Sequence, residues 1–191
     1  MAHVSIIGTG NMGQAIAAIA GKGDNTVELF DSSDSAKQVT GDIVVLAVPY
    51  PAVAGVLAER GESLAGKVVV DITNPLNFET FDSLTVPADG SATAEIAAAL
   101  PQSRVLKAFN TNFASTLSSG AVGPLTTTVL IAGDDADAKA QLAAIVTAGG
   151  LATIDAGSLS RARELEAIGF LQIKLASAEH VSWTGGFGVV A

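Results

Sequence analysis

The stretch His3-Val4-Ser5-Ile6-Ile7-Gly8-Thr9-Gly10-Asn11-Met12-Gly13 decides the fold. Its first five residues form a short aliphatic run of strand character. A G-x-G-x-x-G turn follows at once, and the chain then enters an amphipathic stretch from Asn11 to Gly21. Gly-rich turns are common, so the turn alone is a weak signal. Between a strand and a helix it becomes the fingerprint of a dinucleotide-binding unit. Gly8 permits the tight turn, Gly10 lets a pyrophosphate approach the backbone, and Gly13 allows close helix–sheet packing. The anion then meets free N–H groups at the positive end of the helix. Gly8, Thr9, Gly10, Asn11, Met12 and Gly13 are therefore the first cofactor-binding candidates.

The same alternation continues outward. The pattern predicts strands at His3–Ile7, Thr26–Phe30, Asp42–Val48, Lys67–Ile72, Arg104–Ala108, Thr127–Ala132 and Leu151–Asp155. Helices are predicted at Asn11–Gly21, Pro51–Gly61, Ala92–Leu100 and Asp135–Ala148, the last with acidic residues at its start and Gly149-Gly150 at its end. A longer helix is predicted from Ser158 to His180. Strand–helix–strand alternation implies an α/β, Rossmann-type doubly wound, mostly parallel sheet with a C-terminal helical segment. Residues 1–157 read as the dinucleotide-binding part and 158–191 as a helix and tail on the substrate and dimer side of the same compact unit. Only Ser32–Gly41 separates the second and third strands, so a single helical turn or a loop is expected there.

Composition narrows the chemistry. At 191 residues with 49% hydrophobic content, the chain has material for one well-cored domain. The 19 acidic against 10 basic residues argue against nucleic acid or an anionic membrane as the main partner. There is no cysteine, and His3 and His180 have no metal-ligand spacing, so no metal is expected. The opening MAHVSIIGTG has no charged n-region and no apolar run reaches spanning length, which makes the cytoplasm the expected location.

Asp31 stands at the end of the second strand, about 18 residues past Gly13, near the usual acidic position. A carboxylate there accepts hydrogen bonds from ribose hydroxyls and repels a 2′-phosphate, which favours NAD. The neighbouring Ser32 and Ser33 instead offer donors to a phosphate. Asp31 also reads as an ordinary strand-ending turn residue. Two further loops leave the carboxyl ends of strands, where ligands bind in such sheets. They contribute Ala47, Val48 and Pro49 after the third strand, and Asn74 and Pro75 after the fourth. Both loops equally suit plain helix starts.

Several of these segments together resemble a known family. GTGNMG, AVPYPAV, DITNPLN, LKAFNT and the ending LEAIGFLQIKLASAEHVSWTGGFGVV are similar to the NADP-dependent oxidoreductases of the deazaflavin coenzyme F420 and to the related cytosolic domain of the STEAP metalloreductases. The similarity runs over nearly the whole chain. It implies NADP as dinucleotide, a stacked deazaflavin such as F420 or a flavin as second redox substrate, and direct hydride transfer between the two rings. That second ring is expected near Asn110, Thr111, Trp183 and Phe187, with no acid–base residue of the protein engaged. A homodimer is also implied. The sequence departs from the family where NADP-preferring members carry a Ser-Arg pair, since Asp31-Ser32-Ser33 stands there; the dinucleotide is NADP or NAD. Other readings remain open: a flavin-dependent or ferric-type reductase, or a non-catalytic module that senses NAD(P).

Among the remaining residues, Lys107 reads as a lysine paired with a carboxylate at the sheet end. It also joins Arg161, Arg163 and Lys174 in a possible basic patch for an anionic substrate tail. His180 is expected near the helix C-terminus. Trp183 suits either a substrate ring or a dimer groove. Arg161, Glu164 and Glu166 are expected on the solvated face of the last helix, whose many apolar residues predict burial on two sides.

Overall fold

The structure is a computed structural model describing residues 1–190. Nine strands and six α-helices follow in the order β1 (His3–Ile7), α1 (Asn11–Ala20), β2 (Thr26–Phe30), β3 (Ile43–Leu46), α2 (Tyr50–Arg60), β4 (Val68–Asp71), α3 (Ala92–Ala99), β5 (Arg104–Lys107), α4 (Ala114–Ser119), β6 (Ala121–Val122), β7 (Leu125–Thr126), β8 (Thr128–Gly133), α5 (Ala136–Ala148), β9 (Ala152–Gly157) and α6 (Ala162–Ser177). Seven strands form one sheet in the order β2-β1-β3-β4-β5-β8-β9. The first five are parallel, β8 runs antiparallel to β5, and β9 is parallel to β8. The expected doubly wound, mostly parallel sheet is thus the observed one.

The central strands read as continuous aliphatic runs because both faces of the sheet are covered. Along β3, Ile43 and Val45 join the core under α1, α4 and α5, while Val44 and Leu46 join the core under α2 and α3. β4 divides its valines in the same alternation, with Val68 and Val70 on the first side and Val69 on the second. Full burial of each such side chain contributes roughly 1.5–3 kcal/mol.

Two short elements had no clear signal. A β6–β7 hairpin and the six-residue α4 occupy the connection between β5 and β8 and reverse the chain. The shortened β2–β3 connection contains turns and no helix, as anticipated. The long C-terminal helix differs from expectation. It is α6 from Ala162 to Ser177, preceded by a single 3-10 turn at Leu159–Arg161, and His180 lies beyond it in an exposed turn.

The polarity of α6 corrects the sequence reading more sharply. Glu166 is fully buried rather than solvated, and Gln172 is 2% exposed, whereas Ile168 and Leu171 face solvent in the single chain. The helix therefore turns a polar stripe inward, towards the ends of β4 and β5. Periodicity cannot anticipate this, because it assumes that the buried face is the apolar one. Among the described residues, no helix is long and apolar enough to cross a membrane.

Candidate functional site

The strand order reverses between β1 and its two neighbours β2 and β3, and the carboxyl edge at that switch point is where open α/β sheets bind ligands. The Gly-rich turn sits there. Gly8 has φ +118° and donates its N–H to the Phe30 carbonyl at 2.8 Å. A Cβ on Gly8 would lie 2.1 Å from the Ala47 oxygen, and one on Gly13 would lie 2.0 Å from the Gly8 oxygen. These two positions are closed to any side chain. A Cβ on Gly10 would meet nothing within 4 Å, so Gly10 faces open space.

The first intrahelical bond of α1 runs from Gln14 N–H to the Gly10 carbonyl. The N–H groups of Asn11, Met12 and Gly13 therefore precede the helical ladder, with no side-chain cap and no acidic residue in the first turn. Free donors at the positive end of a helix, beside a position with room for close approach, fit a pyrophosphate.

The Asp31 end of the edge is exposed and locally bonded. Asp31 accepts from the Ser33 N–H at 2.7 Å and from its hydroxyl at 2.6 Å. The Ser33 hydroxyl, together with its backbone N–H, holds the Asp31 carboxyl below its ordinary value. Ser33 thus spends its hydroxyl on Asp31, and Ser32 is exposed. Behind this loop the buried Arg60 donates to the carbonyls of Asp34 and Lys37, and Lys37 lies over the Phe30 ring at 4.7 Å. Ala47 is tied to β1 through its N–H on the Ile7 carbonyl, Val48 packs on the second core, and Pro49 starts α2.

At the other end a cavity of about 560 Å³ opens from the first turn of α1. Asn11 and Met12 line it beside Ile72 and Asn74 from the end of β4, and Asn110 and Asn112 from the end of β5. Aromatic walls come from Phe78 and Phe81 on one loop, Phe113 before α4, and Trp183 in the tail. Trp183 packs on Phe113 with ring centroids 5.0 Å apart. No titratable side chain is among the lining residues. Thr111 and Phe187 lie outside the lining and are joined through buried Gln172, which donates to the Thr111 carbonyl at 3.2 Å and accepts from the Phe187 N–H at 2.8 Å. Gln172 thereby fastens the tail over the loop after β5. Pro75 caps the same edge behind Asn74, its carbonyl accepting the Thr85 N–H and hydroxyl.

Sequence reading missed Phe78, Phe81 and Phe113. One signal was present: in a chain with seven Phe, one Trp and one Tyr, four of the phenylalanines, these three and Phe109, sit in segments following β4 and β5.

Beneath the cavity lies a buried ionic network. Lys107 Nζ donates to Asp71 at 2.8 Å, to the Thr73 carbonyl at 2.6 Å and to Glu166 at 3.0 Å, which uses all three of its protons. Glu166 also accepts the N–H groups of Ala92 and Thr93 at the start of α3, and the Thr93 hydroxyl reaches Asp71 at 2.7 Å. Lys107, Asp71, Thr93 and Glu166 are all fully buried. The lysine–carboxylate pairing expected for Lys107 is present. Its part in a surface patch is ruled out by that burial, and Arg161, Arg163 and Lys174 each face an acidic neighbour, Glu164 or Asp82.

Lys107 leads directly into a tight turn. Phe109 has φ +61°, and the Asn110 N–H donates to the Ala108 carbonyl at 2.8 Å, closing a three-residue turn around a buried phenylalanine. Such backbone costs about 1–3 kcal/mol and persists only where its surroundings over-determine it. Here Asn110 is interlocked with Asn74: each amide nitrogen donates to the other residue, at 2.8 and 2.9 Å. Helix α6 closes on this pair at Gly169, where a Cβ would lie 2.3 Å from the Asn74 side-chain oxygen.

Comparison with known proteins agrees with this architecture. The family described as NADP oxidoreductase, coenzyme F420-dependent, matches residues 19–75. The F420-dependent NADP reductase of Methanothermobacter thermautotrophicus is 34% identical over 168 residues, covering 84% of this chain and 70% of that protein. The Methanocaldococcus jannaschii reductase of the same name is 32% identical over 150 residues, covering 76% of this chain and 66% of its own length. The metalloreductase STEAP3 of Rattus norvegicus is 29% identical over 180 residues, covering 86% of this chain and 36% of its own. The crystal structure of a putative F420-dependent NADP reductase from an Arthrobacter species shares the fold, with a TM-score of 0.86, 24% identity and coverage of 98% and 99% of the two chains. The chain spans about two thirds of the Methanocaldococcus reductase and about a third of the rat metalloreductase. By its identity to the methanogen reductases over most of their length, the chain belongs to the family of F420-dependent NADP oxidoreductases.

Proposed function

We propose that this protein catalyses direct hydride transfer between a nicotinamide dinucleotide, NADP by kinship, and a stacked deazaflavin of the F420 type. The observation that carries the proposal is the continuity of the site: one cavity runs from the bare N-terminus of α1 to a pocket walled by Phe78, Phe81, Phe113 and Trp183. Bound together there, the two rings would supply the redox chemistry, a hydride leaving one and reaching the other. The chain's own contribution is positional. The backbone amides of Asn11–Gly13 hold the pyrophosphate, Val48 and Pro49 flank the dinucleotide, and Asn74 and Asn110 form the rigid floor of the ring pocket. The apolar walls exclude water, and an untitratable lining suits a transfer that needs no protein acid or base. Asp31, Ser32 and Ser33 lie where the adenosine ribose would end. The exposed Ile168 and Leu171 of α6 support a homodimer through that helix.

Calorimetric titration of the purified protein with NADP and NAD, followed by oxidation of the tighter reduced dinucleotide with F420, FMN and FAD, tests this reading. Tight binding with turnover on F420 is expected, and light scattering on the same sample should give twice the chain mass. Turnover on a flavin alone would replace the deazaflavin with a flavin-dependent reductase. Binding without turnover on any acceptor would make the protein a dinucleotide sensor.

A further inference from the structure

Two buried amide oxygens are left without a partner beside the ring pocket: Oδ1 of Asn110 and Oδ1 of Asn112. Both residues line the cavity, and they are 4% and 8% exposed. Their orientation is set by what their nitrogens do. Asn110 Nδ2 donates to Asn74 Oδ1 at 2.9 Å and to the Leu165 carbonyl at 2.8 Å, and Asn112 Nδ2 donates to the Thr128 carbonyl at 3.0 Å. Turning either amide over would set oxygen against oxygen, so each oxygen is fixed as an acceptor, with both amide protons of Asn110 and one of Asn112 already engaged. Buried acceptors are nearly always paired in folded proteins, and unpaired ones at a cavity call for an explanation. Three features hold this pair in place: the strained turn at Phe109, the Asn74–Asn110 interlock and the close approach of Gly169.

We infer that Asn110 and Asn112 form an acceptor pair that selects ring ligands carrying an amide or imide N–H. The inference rests on the hydride-transfer reading above. The donor is either the carboxamide N–H of the nicotinamide or the imide N–H of the second ring. A ligand without that donor leaves both oxygens buried and unpaired, which is why a polar site rejects an analogue that lacks the matching group.

The test compares the dinucleotide with its 3-acetylpyridine analogue, in which a methyl replaces the amide nitrogen, and the deazaflavin with its N3-methyl derivative. ADP-ribose, which has no nicotinamide, reports on the phosphate seat alone. Wild-type protein is expected to bind one of the two analogues about tenfold more weakly than its parent. That ratio should fall towards one in Asn112→Ala and in Asn110→Ser, while both variants keep wild-type affinity for ADP-ribose. The analogue that is discriminated identifies the source of the donor. Equal wild-type affinity for each parent and its analogue overturns the inference, as does discrimination that survives both substitutions. Failure of ADP-ribose to bind the wild type would instead count against the dinucleotide reading itself.

Discussion

The two ends of the site are built in opposite ways. The end proposed for phosphate and adenosine is nearly contiguous in sequence: β1, its Gly-rich turn and the start of α1 form it, and the Asp31 loop completes it with bonds to residues two or three positions away. The ring end draws on loops after β4 and β5, a stripe of α6 and the tail, joined by contacts between residues far apart in the chain. One end is exposed and adaptable, while the other is held by a fully buried lysine with two carboxylates. The contrast suggests a division of labour. On the proposed function, dinucleotide choice would lie where substitutions disturb the fold least, and ring geometry where buried side chains are bonded most closely.

Lys107→Met should produce the largest effect. It strands Asp71 and Glu166 without their cation, and breaking a buried pair from one side costs about 3–5 kcal/mol. For a chain of this size the melting temperature should fall by on the order of 10 °C. An unchanged urea midpoint would show that the ring end is not the locked half.

Gly10→Ala comes next and should separate binding from stability. A Cβ there meets no protein atom, so the unfolding free energy should change by less than about 1 kcal/mol. Dinucleotide affinity should fall at least about tenfold, because the methyl group occupies the approach to the helix terminus. Unaltered affinity in calorimetry would remove the pyrophosphate from this turn.

Asp31→Ser is expected to have the smallest effect. With one negative charge removed beside the ribose, the ratio of NADP to NAD affinity should rise a few-fold, with little change in stability, since the residue is exposed. The pH dependence follows from its lowered ionisation. A carboxyl with a depressed folded value stays charged throughout the neutral range. Its contribution is complete above the ordinary carboxylate value and is lost as pH falls through the depressed one. The difference in dinucleotide preference between wild type and variant should therefore be flat from about pH 7 to 8, above the second ionisation of a 2′-phosphate near pH 6. A difference that titrates near neutrality would assign the selection to another group.

The Gly-rich turn was legible because its causes are local. A strand, a turn closed to side chains at Gly8 and Gly13, and a bare helix start follow one another within a dozen residues, and each has a steric or electrostatic signature. The central strands were equally legible, since burial on both faces leaves only aliphatic side chains acceptable. Lys107 could be read as half of an ion pair, but nothing near it named the partner: Glu166 lies 59 positions away, on a helix whose surface residues are also charged. Glu166 was accordingly misplaced on a solvated face. Thr111 and Asn112 are adjacent, and only the turn after Phe109 decides that Asn112 faces the cavity while the Thr111 carbonyl holds Gln172. Phe78, Phe81 and Phe113 carry no periodic signal in their loops, so their convergence was invisible.

The sequence by itself determined the sheet, the helix that follows its first strand, the Gly-rich turn between them and the family, because these depend on backbone sterics and on aliphatic patterning over neighbouring residues. Only the tertiary structure decided which polar residues turn inward on α6, which aromatic rings meet, and which asparagines keep an unpaired acceptor. Those outcomes depend on distant groups satisfying one another's charges and hydrogen bonds in a place without water, and a choice of partner exists only once the chain has folded.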